Sequence, residues 1–185
     1  MLEVGAGRGE LAAALSAVGY QVRALDPEPT GPNVEACGLH ELDAAPAAFD
    51  AAVAIVSLHH VEPLAGSLTR LAEVIRPGGV LVVDEFDVAA FDRRAAGWWL
   101  RQRQGLGAHE HACADELVEE HRAHLHPLDR IVSSLGSGFN VGAPLYGPYL
   151  YRWDLDEALR PTEEGAIASG EIPAVGARLL ARRVA

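Results

Sequence analysis

Short apolar runs alternate with segments of helical spacing through the first half of the chain. The clearest run, residues 49–57, is apolar at almost every position, as expected of a strand buried on both faces of a sheet. Apolar residues at helical spacing predict helices over 9–18 and 67–75. The remaining runs predict further strands over 1–4, 20–25, 33–37 and 80–86. Strands and helices that alternate in this way predict an open α/β fold with a parallel sheet.

The second half of the chain has a less regular pattern. Residues 88–126 are largely helical in spacing and rich in histidine and arginine, and 128–135 predicts another helix. An aromatic run over 145–153 and a loosely alternating run over 177–184 predict two more strands. We expect the intervening segment, 154–175, to be an excursion of loop and helix away from the sheet.

Three glycines stand on alternate positions directly after the first predicted strand. Gly5, Gly7 and Gly9 form a G-x-G-x-G turn, and a strand that runs through such a turn into a helix is typical of a nucleotide- or nucleoside-binding corner. The dinucleotide motif G-x-G-x-x-G would need glycine where this chain has Glu10. Because a carboxylate there would repel a pyrophosphate, a dinucleotide-binding oxidoreductase is the disfavoured alternative. A glycine turn with no ligand role is the other alternative.

Polar residues also follow the second and fourth predicted strands. Asp26 lies about 20 residues past the first glycine, where a carboxylate can accept hydrogen bonds from both hydroxyls of a ribose. The alternative is a turn aspartate ahead of Pro27. Leu58, His59 and His60 follow the fourth strand, at the edge where open α/β sheets bind ligands.

The order of these motifs resembles that of the class I S-adenosylmethionine-dependent methyltransferases. The resemblance covers residues 1–87. It rests on an acidic first strand with G-x-G-x-G, the acidic end of strand two, the Phe-Asp start of strand four, the Leu-His-His sequence and the Arg-Pro-Gly-Gly turn of 76–79. It implies a Rossmann-like fold with a mostly parallel seven-stranded sheet and an antiparallel C-terminal edge hairpin.

The resemblance also implies how the chain is divided. Residues 1–185 are expected to form a single methyltransferase domain. Within it, 1–87 would be the cofactor-binding half, 88–126 a helical lid and acceptor region, and 127–185 the C-terminal helix and edge strands. Family members carry a helix ahead of strand one that covers the cofactor, whereas this sequence starts inside that strand. We therefore expect the chain as given to bind the cofactor weakly, and upstream residues to tighten the binding.

The cofactor that the resemblance implies is S-adenosyl-L-methionine. Its implied binding residues are Glu3, Gly5, Ala6 and Gly7 at the methionine half, Asp26 at the ribose, Pro27, Leu39 and His40 at the adenine, and Val56, Ser57 and Leu58 at the amino-acid end. Leu39 departs from the family pattern, which often has an aspartate near this position.

Methyl transfer from a sulfonium is a direct displacement, so positioning of the acceptor can supply most of the acceleration. A general base is needed only where the acceptor must lose a proton. Of the two adjacent histidines, we expect His59 to face the site as the catalytic residue and His60 to pack behind it. The alternative is that both histidines are structural.

A metal site is a further hypothesis for the histidine-rich segment. His109, His111 and Cys113 are ligand types, and His121 and His124 could share a helix face. Their spacing matches neither paired C-x-x-C nor H-E-x-x-H. We therefore expect no metal.

The composition of the chain argues against some classes of binding partner. The chain has 26 acidic and 15 basic side chains, for a net charge of −11, which argues against nucleic acid and against an anionic membrane surface. Two cysteines cannot form a disulfide framework and favour a reducing, cytoplasmic compartment. The aromatic C-terminal half suits a small-molecule acceptor. A non-catalytic relative that binds cofactor or partner remains an alternative, and the sequence gives no oligomeric state.

Overall fold

The fold is organised around one mixed β-sheet. A computed structural model describes residues 1–105 and 113–185. The strands are β1 (Leu2–Val4), β2 (Arg23–Asp26), β3 (Glu35–Ala36), β4 (Phe49–Ile55), β5 (Ile75–Phe86), β6 (Phe139–Val141), β7 (Leu145–Gly147) and β8 (Gly176–Arg183). They lie in the order β3-β2-β1-β4-β5-β8-β6, and β7 also pairs with β8.

The first five strands form the parallel half of the sheet. β1 pairs in parallel with β2 and β4, β2 pairs with β3, and β4 pairs with β5. Ala52 and Ala54 of β4 are fully buried, as the unbroken apolar run predicts. The predicted α/β fold with a mostly parallel sheet is confirmed.

The C-terminal strands are antiparallel. β8 pairs with β5 from Val80–Arg182 to Phe86–Gly176. On the other side of β8, β7 pairs with its first residues and β6 with its last. These two short strands share one edge position, so the sheet is seven positions wide, and the predicted antiparallel pairing of the last strands is confirmed. The strand β6 was not predicted, because three residues give too short a pattern to recognise.

The aromatic run over 145–153 is a strand only as far as Gly147. Pro148 has no N–H to donate to a strand ladder. The next N–H groups donate instead, over 2.7–2.9 Å, to the buried carboxylate of Glu163: they are those of Tyr149, Leu150 and Tyr151. Glu163 therefore fixes the turn that follows β7.

The predicted turn at 76–79 lies inside β5. β4 and β5 pair at Phe49–Ile75 and next at Ala51–Val80, so β5 has extra residues between these pairs. Gly78, in the extra segment, has φ +76°, a conformation that favours glycine. The chain therefore bulges within the strand instead of turning before it.

The helices lie between and beyond the strands. They are α1 (Glu10–Ala17), α2 (Leu64–Val74), α3 (Arg93–Gly105), α4 (Ala114–His124), α5 (Leu128–Leu135) and α6 (Arg160–Ala168). α1 and α5 match the predicted helices, and α2 begins one turn earlier than predicted. Over the described ranges, none of the helices combines the length and the apolar character that a membrane span requires.

The side chains form two buried clusters. The larger one joins the sheet to α2 and α5, and the second lies around the carboxyl end of β5, where α3, α4 and the segment before β8 meet. Trp98 and Trp99 belong to the second cluster, at 2% and 0% exposure. Trp99 stacks on Trp153, with ring centroids 4.4 Å apart, and donates its Nε1–H to Trp153 O over 2.8 Å. These two tryptophans are therefore core residues, one of which holds Trp153 in place.

The loop after β1 needs glycine at two positions for different structural reasons. Gly5 and Gly7 have φ +70° and +51°. A Cβ on Gly5 would lie 2.2 Å from Cβ of Ser57, whereas one on Gly7 would meet no described atom within 4 Å. Gly5 therefore allows the loop after β1 to pack on the loop after β4, while at Gly7 only the backbone conformation matters.

Gly5→Ala should accordingly destabilise the protein more than Gly7→Ala. Left-handed backbone costs a non-glycine residue about 1–2 kcal/mol, and overpacking adds about 1–3 kcal/mol. We expect urea denaturation to give a loss of about 2–5 kcal/mol for Gly5→Ala and about 1–2 kcal/mol for Gly7→Ala. Equal losses for the two variants would contradict the packing role of Gly5.

Glu3 is a buried carboxylate in the middle of β1. Its side chain is 5% exposed, and its Oε2 has no hydrogen-bond partner among the described residues. Burial raises the pKa of Glu3, and a hydrogen bond from the backbone of Ala12 acts in the opposite direction. The ionised form of Glu3 is therefore disfavoured in the folded chain.

The pKa shift of Glu3 predicts a pH-dependent effect of Glu3→Gln. A raised folded-state pKa means that the folded protein binds more protons than the unfolded chain above about pH 4.3, so the wild type loses stability as the pH rises. Glutamine does not titrate. The unfolding free energy of the variant, relative to wild type, should therefore increase between acidic and neutral pH in denaturation series. If the difference in unfolding free energy between variant and wild type stayed constant with pH, ionisation of Glu3 would not destabilise the folded protein.

Candidate active site

A cavity of about 500 Å³, here named the first cavity, opens at the carboxyl ends of β1, β2 and β4. Parallel strands bring residues together here because their carboxyl ends share one edge of the sheet. The predicted cofactor-binding residues that line it are Gly5, Asp26, Pro27, Leu39, His40, Val56 and Ser57.

The other predicted cofactor-binding residues do not line this cavity: Glu3, Ala6, Gly7 and Leu58. The N–H groups of Gly5 and Ala6 both donate to Leu25 O, over 2.9 and 3.0 Å. The N–H of Gly7 donates to Asp26 Oδ2 over 2.9 Å. These backbone hydrogen bonds hold the glycine loop against the end of β2.

Asp26 retains hydrogen-bonding capacity for a ligand. Its Oδ2 accepts from Gly7 and its Oδ1 accepts from the N–H of Glu28, each over 2.9 Å. An ionised carboxylate has about four lone-pair sites. The same side chain can therefore hold the loop and accept hydroxyl groups.

Sequence reasoning missed three acidic residues of the first cavity: Glu28, Glu41 and Glu62. Glu41 ends the 3-10 turn Leu39–Glu41, two positions after the site where the family often has an aspartate. Together with Asp26, these carboxylates border the cavity, and neither lysine nor arginine is among the described residues that line it. Such a charge favours a cationic or neutral ligand over a phosphate.

A second cavity, of about 340 Å³, lies beside the first. Part of its wall is apolar or aromatic: Val56, Phe86, Leu125, Tyr149 and Trp153. The rest is polar: His59, His60, Glu120, His121 and His124. Val56 and His60 line both cavities, so these two residues form part of the wall of each.

The backbone at this junction is strained. Val56 has φ +54°, which is a true outlier for a β-branched residue. Its N–H donates to Asp84 O of the neighbouring strand over 2.7 Å, and this bond helps to hold it. Strain of this kind is concentrated at functional sites, which supports a functional role for the junction.

His59 lies in the 3-10 turn Leu58–His60 and is 3% exposed. Its Nδ1 is hydrogen-bonded to Oε2 of Glu85, which is fully buried near the end of β5. Sequence reasoning missed Glu85, although a carboxylate inside an apolar strand was a signal for it. His60, which we expected to pack behind His59, is exposed and borders both cavities.

Two other side chains of the second cavity have shifted pKa values. Part of the His60 side chain is exposed, but partial burial of the ring lowers its pKa, and the neighbouring His59 adds to this shift, so the neutral imidazole is favoured. Burial raises the pKa of the Tyr149 hydroxyl far above its usual range. Tyr149 therefore stays protonated and can donate a hydrogen bond.

The hypothetical metal site includes residues that the structure describes and residues that it does not. Within 1–105 and 113–185, no group of three or more His, Cys, Asp or Glu is placed to hold a metal ion. His109 and His111 lie outside the described residues.

A family model described as a methyltransferase domain matches residues 1–119. The match spans more than half of the 185 residues. Comparison with curated proteins gives no match.

Solved structures support the same fold. An S-adenosylmethionine-dependent methyltransferase from Mesorhizobium loti is 18% identical, with a TM-score of 0.63 over 98% of this chain and 90% of that one. The 1,6-didemethyltoxoflavin-N1-methyltransferase from Burkholderia thailandensis, solved with 1,6-didemethyltoxoflavin and S-adenosylhomocysteine, is 21% identical, with a TM-score of 0.58 over 100% and 70% of the two chains. The [4+2]-cyclase SpnF is 19% identical, with a TM-score of 0.62 over 99% and 73%.

The family match begins in β1, includes both the glycine loop and the end of β4, and extends into α4. The sheet order and the antiparallel C-terminal strands agree with the fold of the solved structures. The chain belongs to the class I S-adenosylmethionine-dependent methyltransferases.

Proposed function

We propose that the first cavity binds S-adenosylmethionine and that the second binds a small organic acceptor of its methyl group. The observation that carries this proposal is that Val56 and His60 line both cavities, so that ligands in the two cavities would be neighbours. Methyl transfer is a direct displacement, so the two reactants have to meet, and their positioning can supply most of the acceleration.

The residues of the first cavity fit the cofactor. Pro27, Leu39 and Val61 offer apolar surface to an adenine, with His40 at its edge, and Asp26 has lone pairs left for ribose hydroxyls. Gly5 and Ser57 would border the methionine end. The residues that do not line the cavity would act by shaping the loops around it: Glu3, Ala6, Gly7 and Leu58.

The negative charge that borders the first cavity favours this cofactor over a dinucleotide. S-adenosylmethionine carries a positive sulfonium, whereas a pyrophosphate is anionic. The bordering carboxylates would attract the first and repel the second. Glu10, the first residue of α1, adds a further negative charge where a pyrophosphate would approach the helix.

The second cavity favours a planar acceptor without an anionic group. Phe86, Tyr149 and Trp153 supply aromatic surface, and about 340 Å³ is near the lower end of ligand-pocket volumes. Neither lysine nor arginine is among the described residues that line it, and Glu120 is, so a carboxylate or phosphate would meet a like charge and no permanent cation. The neighbour from Burkholderia thailandensis, which was solved with bound 1,6-didemethyltoxoflavin, supports an acceptor of the small-molecule class.

When bound, the cofactor supplies an electrophilic methyl group. We propose His59 as the catalytic residue that takes a proton from the acceptor. Tyr149 is a poor alternative, because burial raises its pKa. α4 lies in the segment expected to form a lid, and it contributes Glu120, His121 and His124 to the acceptor wall. We keep the division into 1–87, 88–126 and 127–185 as part of this proposal.

Non-catalytic binding of the cofactor, or another reaction on this fold, is the second candidate. The observation that favours it is the similarity to SpnF, which is described as a [4+2]-cyclase. Detection of methylated product separates this candidate from the first.

We further propose that the chain acts in the cytoplasm without a nucleic-acid partner. The net charge of −11 opposes phosphate binding. Both cysteines, Cys37 and Cys113, are free thiols, as expected in a reducing compartment.

The cofactor assignment predicts selective binding. In calorimetry, S-adenosylhomocysteine should bind and NAD should not. Asp26→Ala should weaken binding by about 1.5–3 kcal/mol, the worth of hydrogen bonds to a charged group, which is roughly a 10- to 150-fold rise in Kd. Asp50→Ala is the control, because Asp50 is the second residue of β4, lies at the opposite edge of the sheet and pairs with Arg76. Equal affinity for NAD, or equal losses in both variants, would contradict the assignment.

The acceptor cavity predicts an order of substrates. With labelled S-adenosylmethionine, neutral hydroxy- or amino-substituted bicyclic aromatics should become methylated. Their carboxylated counterparts should show kcat/KM at least about tenfold lower, because a buried unpaired charge costs more than 1.4 kcal/mol. Preferential methylation of the carboxylated compounds would place the acceptor elsewhere.

A further inference from the structure

Glu85 connects the end of β5 to the turn that carries His59. It is fully buried. Its Oε1 accepts from the backbone N–H groups of Ser57 and Leu58, over 3.0 and 2.6 Å, and its Oε2 contacts Nδ1 of His59. One carboxylate therefore fixes both the backbone and the imidazole of this turn.

The contacts of Glu85 determine which ring nitrogen of His59 carries the proton. Two backbone N–H groups donate to its Oε1, which stabilises the ionised carboxylate, and in the ionised form Oε2 is an acceptor as well. An acceptor facing Nδ1 requires a proton on Nδ1. The neutral imidazole is then left with its lone pair on Nε2, the form that can accept a proton.

The position of His59 is fixed from several directions. His60 N–H donates to Ser57 O over 3.1 Å, and His126 N–H donates to His59 O over 2.9 Å. The edge of the His59 ring faces Phe86, with centroids 6.2 Å apart. Among the described residues, Nε2 of His59 has no hydrogen-bond partner, and the side chain borders the second cavity.

Among the described residues, none of the other histidines that line the second cavity has a carboxylate bonded to its Nδ1. Nδ1 of His121 is bonded to Leu117 O and Nδ1 of His124 to Glu120 O, each over 2.8 Å. These acceptors are neutral carbonyl groups of α4, which stabilise an imidazolium less than a carboxylate does. His60 is disfavoured as a cation, because burial lowers its pKa.

We propose that Glu85 is a positioning residue that holds His59 in the Nδ1–H tautomer, so that Nε2 takes the proton of the methyl acceptor. The inference rests on the proposed function. In the step, the O–H or N–H bond of the acceptor breaks and its proton goes to Nε2. The electron pair of that oxygen or nitrogen forms the bond to the methyl carbon, and the carbon–sulfur pair leaves with the sulfur.

Glu85→Gln is expected to invert the tautomer. The single carbonyl oxygen of glutamine would accept from the two backbone N–H groups, and its NH₂ would then face Nδ1 and force the proton onto Nε2. Glu163→Gln is the matched control, because Glu163 is also fully buried and accepts backbone N–H groups but has no imidazole partner among the described residues.

Nitrogen-15 NMR of histidine-labelled, ligand-free protein reads the tautomer directly, above about pH 8, where an ordinary imidazole is neutral. The His59 signals are identified by their loss in His59→Gln. We expect the Nδ1–H form in wild type and in Glu163→Gln, and the Nε2–H form in Glu85→Gln. An Nε2–H form in the wild type would overturn the proposal, even if Glu85→Gln failed to fold.

Kinetics provide the second readout. Loss of general-base catalysis should lower kcat of Glu85→Gln by about 10²- to 10⁴-fold, while the Kd for S-adenosylhomocysteine changes by less than about threefold. An unchanged kcat with an inverted tautomer would overturn the role of Nε2. Failure of the wild type to bind S-adenosylhomocysteine would instead overturn the proposed function, and the NMR result does not depend on it.

Discussion

The buried carboxylate of Glu85 is the interaction on which the geometry of the site depends. It joins the carboxyl ends of β4 and β5 by accepting from the N–H groups of Ser57 and Leu58 and by contacting Nδ1 of His59. A buried carboxylate has to be matched by donors, because leaving it unpaired costs several kcal/mol. Glu85 therefore determines the path of the chain after β4, and that path sets the wall between the two cavities.

A second buried carboxylate has the same role on the acceptor side. Glu163 gathers three backbone N–H groups of the turn after β7, and this turn presents Tyr149 and Trp153 to the second cavity. Trp99 stacks behind Trp153 and accounts for part of its position. Two fully buried acidic residues, Glu85 and Glu163, therefore position parts of the wall of the second cavity by accepting hydrogen bonds from backbone N–H groups at least 12 residues away in sequence.

The sequence predicted what depends on local pattern. The apolar runs located β1 to β5, and Asp26, Leu39 and Val56 line a cavity because strand ends share one edge of a parallel sheet. It did not predict the roles of Glu85 and Glu163, because an acidic residue in a sequence reveals neither its partners nor their distance along the chain. It also treated the glycines as one motif, whereas Gly5 makes room for Ser57 and Gly7 needs only its backbone conformation. The strand β6 and the bulge in β5 depend on pairing with β8 and β4, which no short window contains.

We propose that one cavity holds the cofactor, that the other holds the acceptor, and that Val56 and His60 lie between the two ligands. A crystal structure with bound S-adenosylhomocysteine is the direct test. We expect the ribose at Asp26, the adenine near Leu39, and the sulfur beside Val56 and His60. A sulfur atom that faces away from the second cavity, or a ligand bound outside the first, would contradict it.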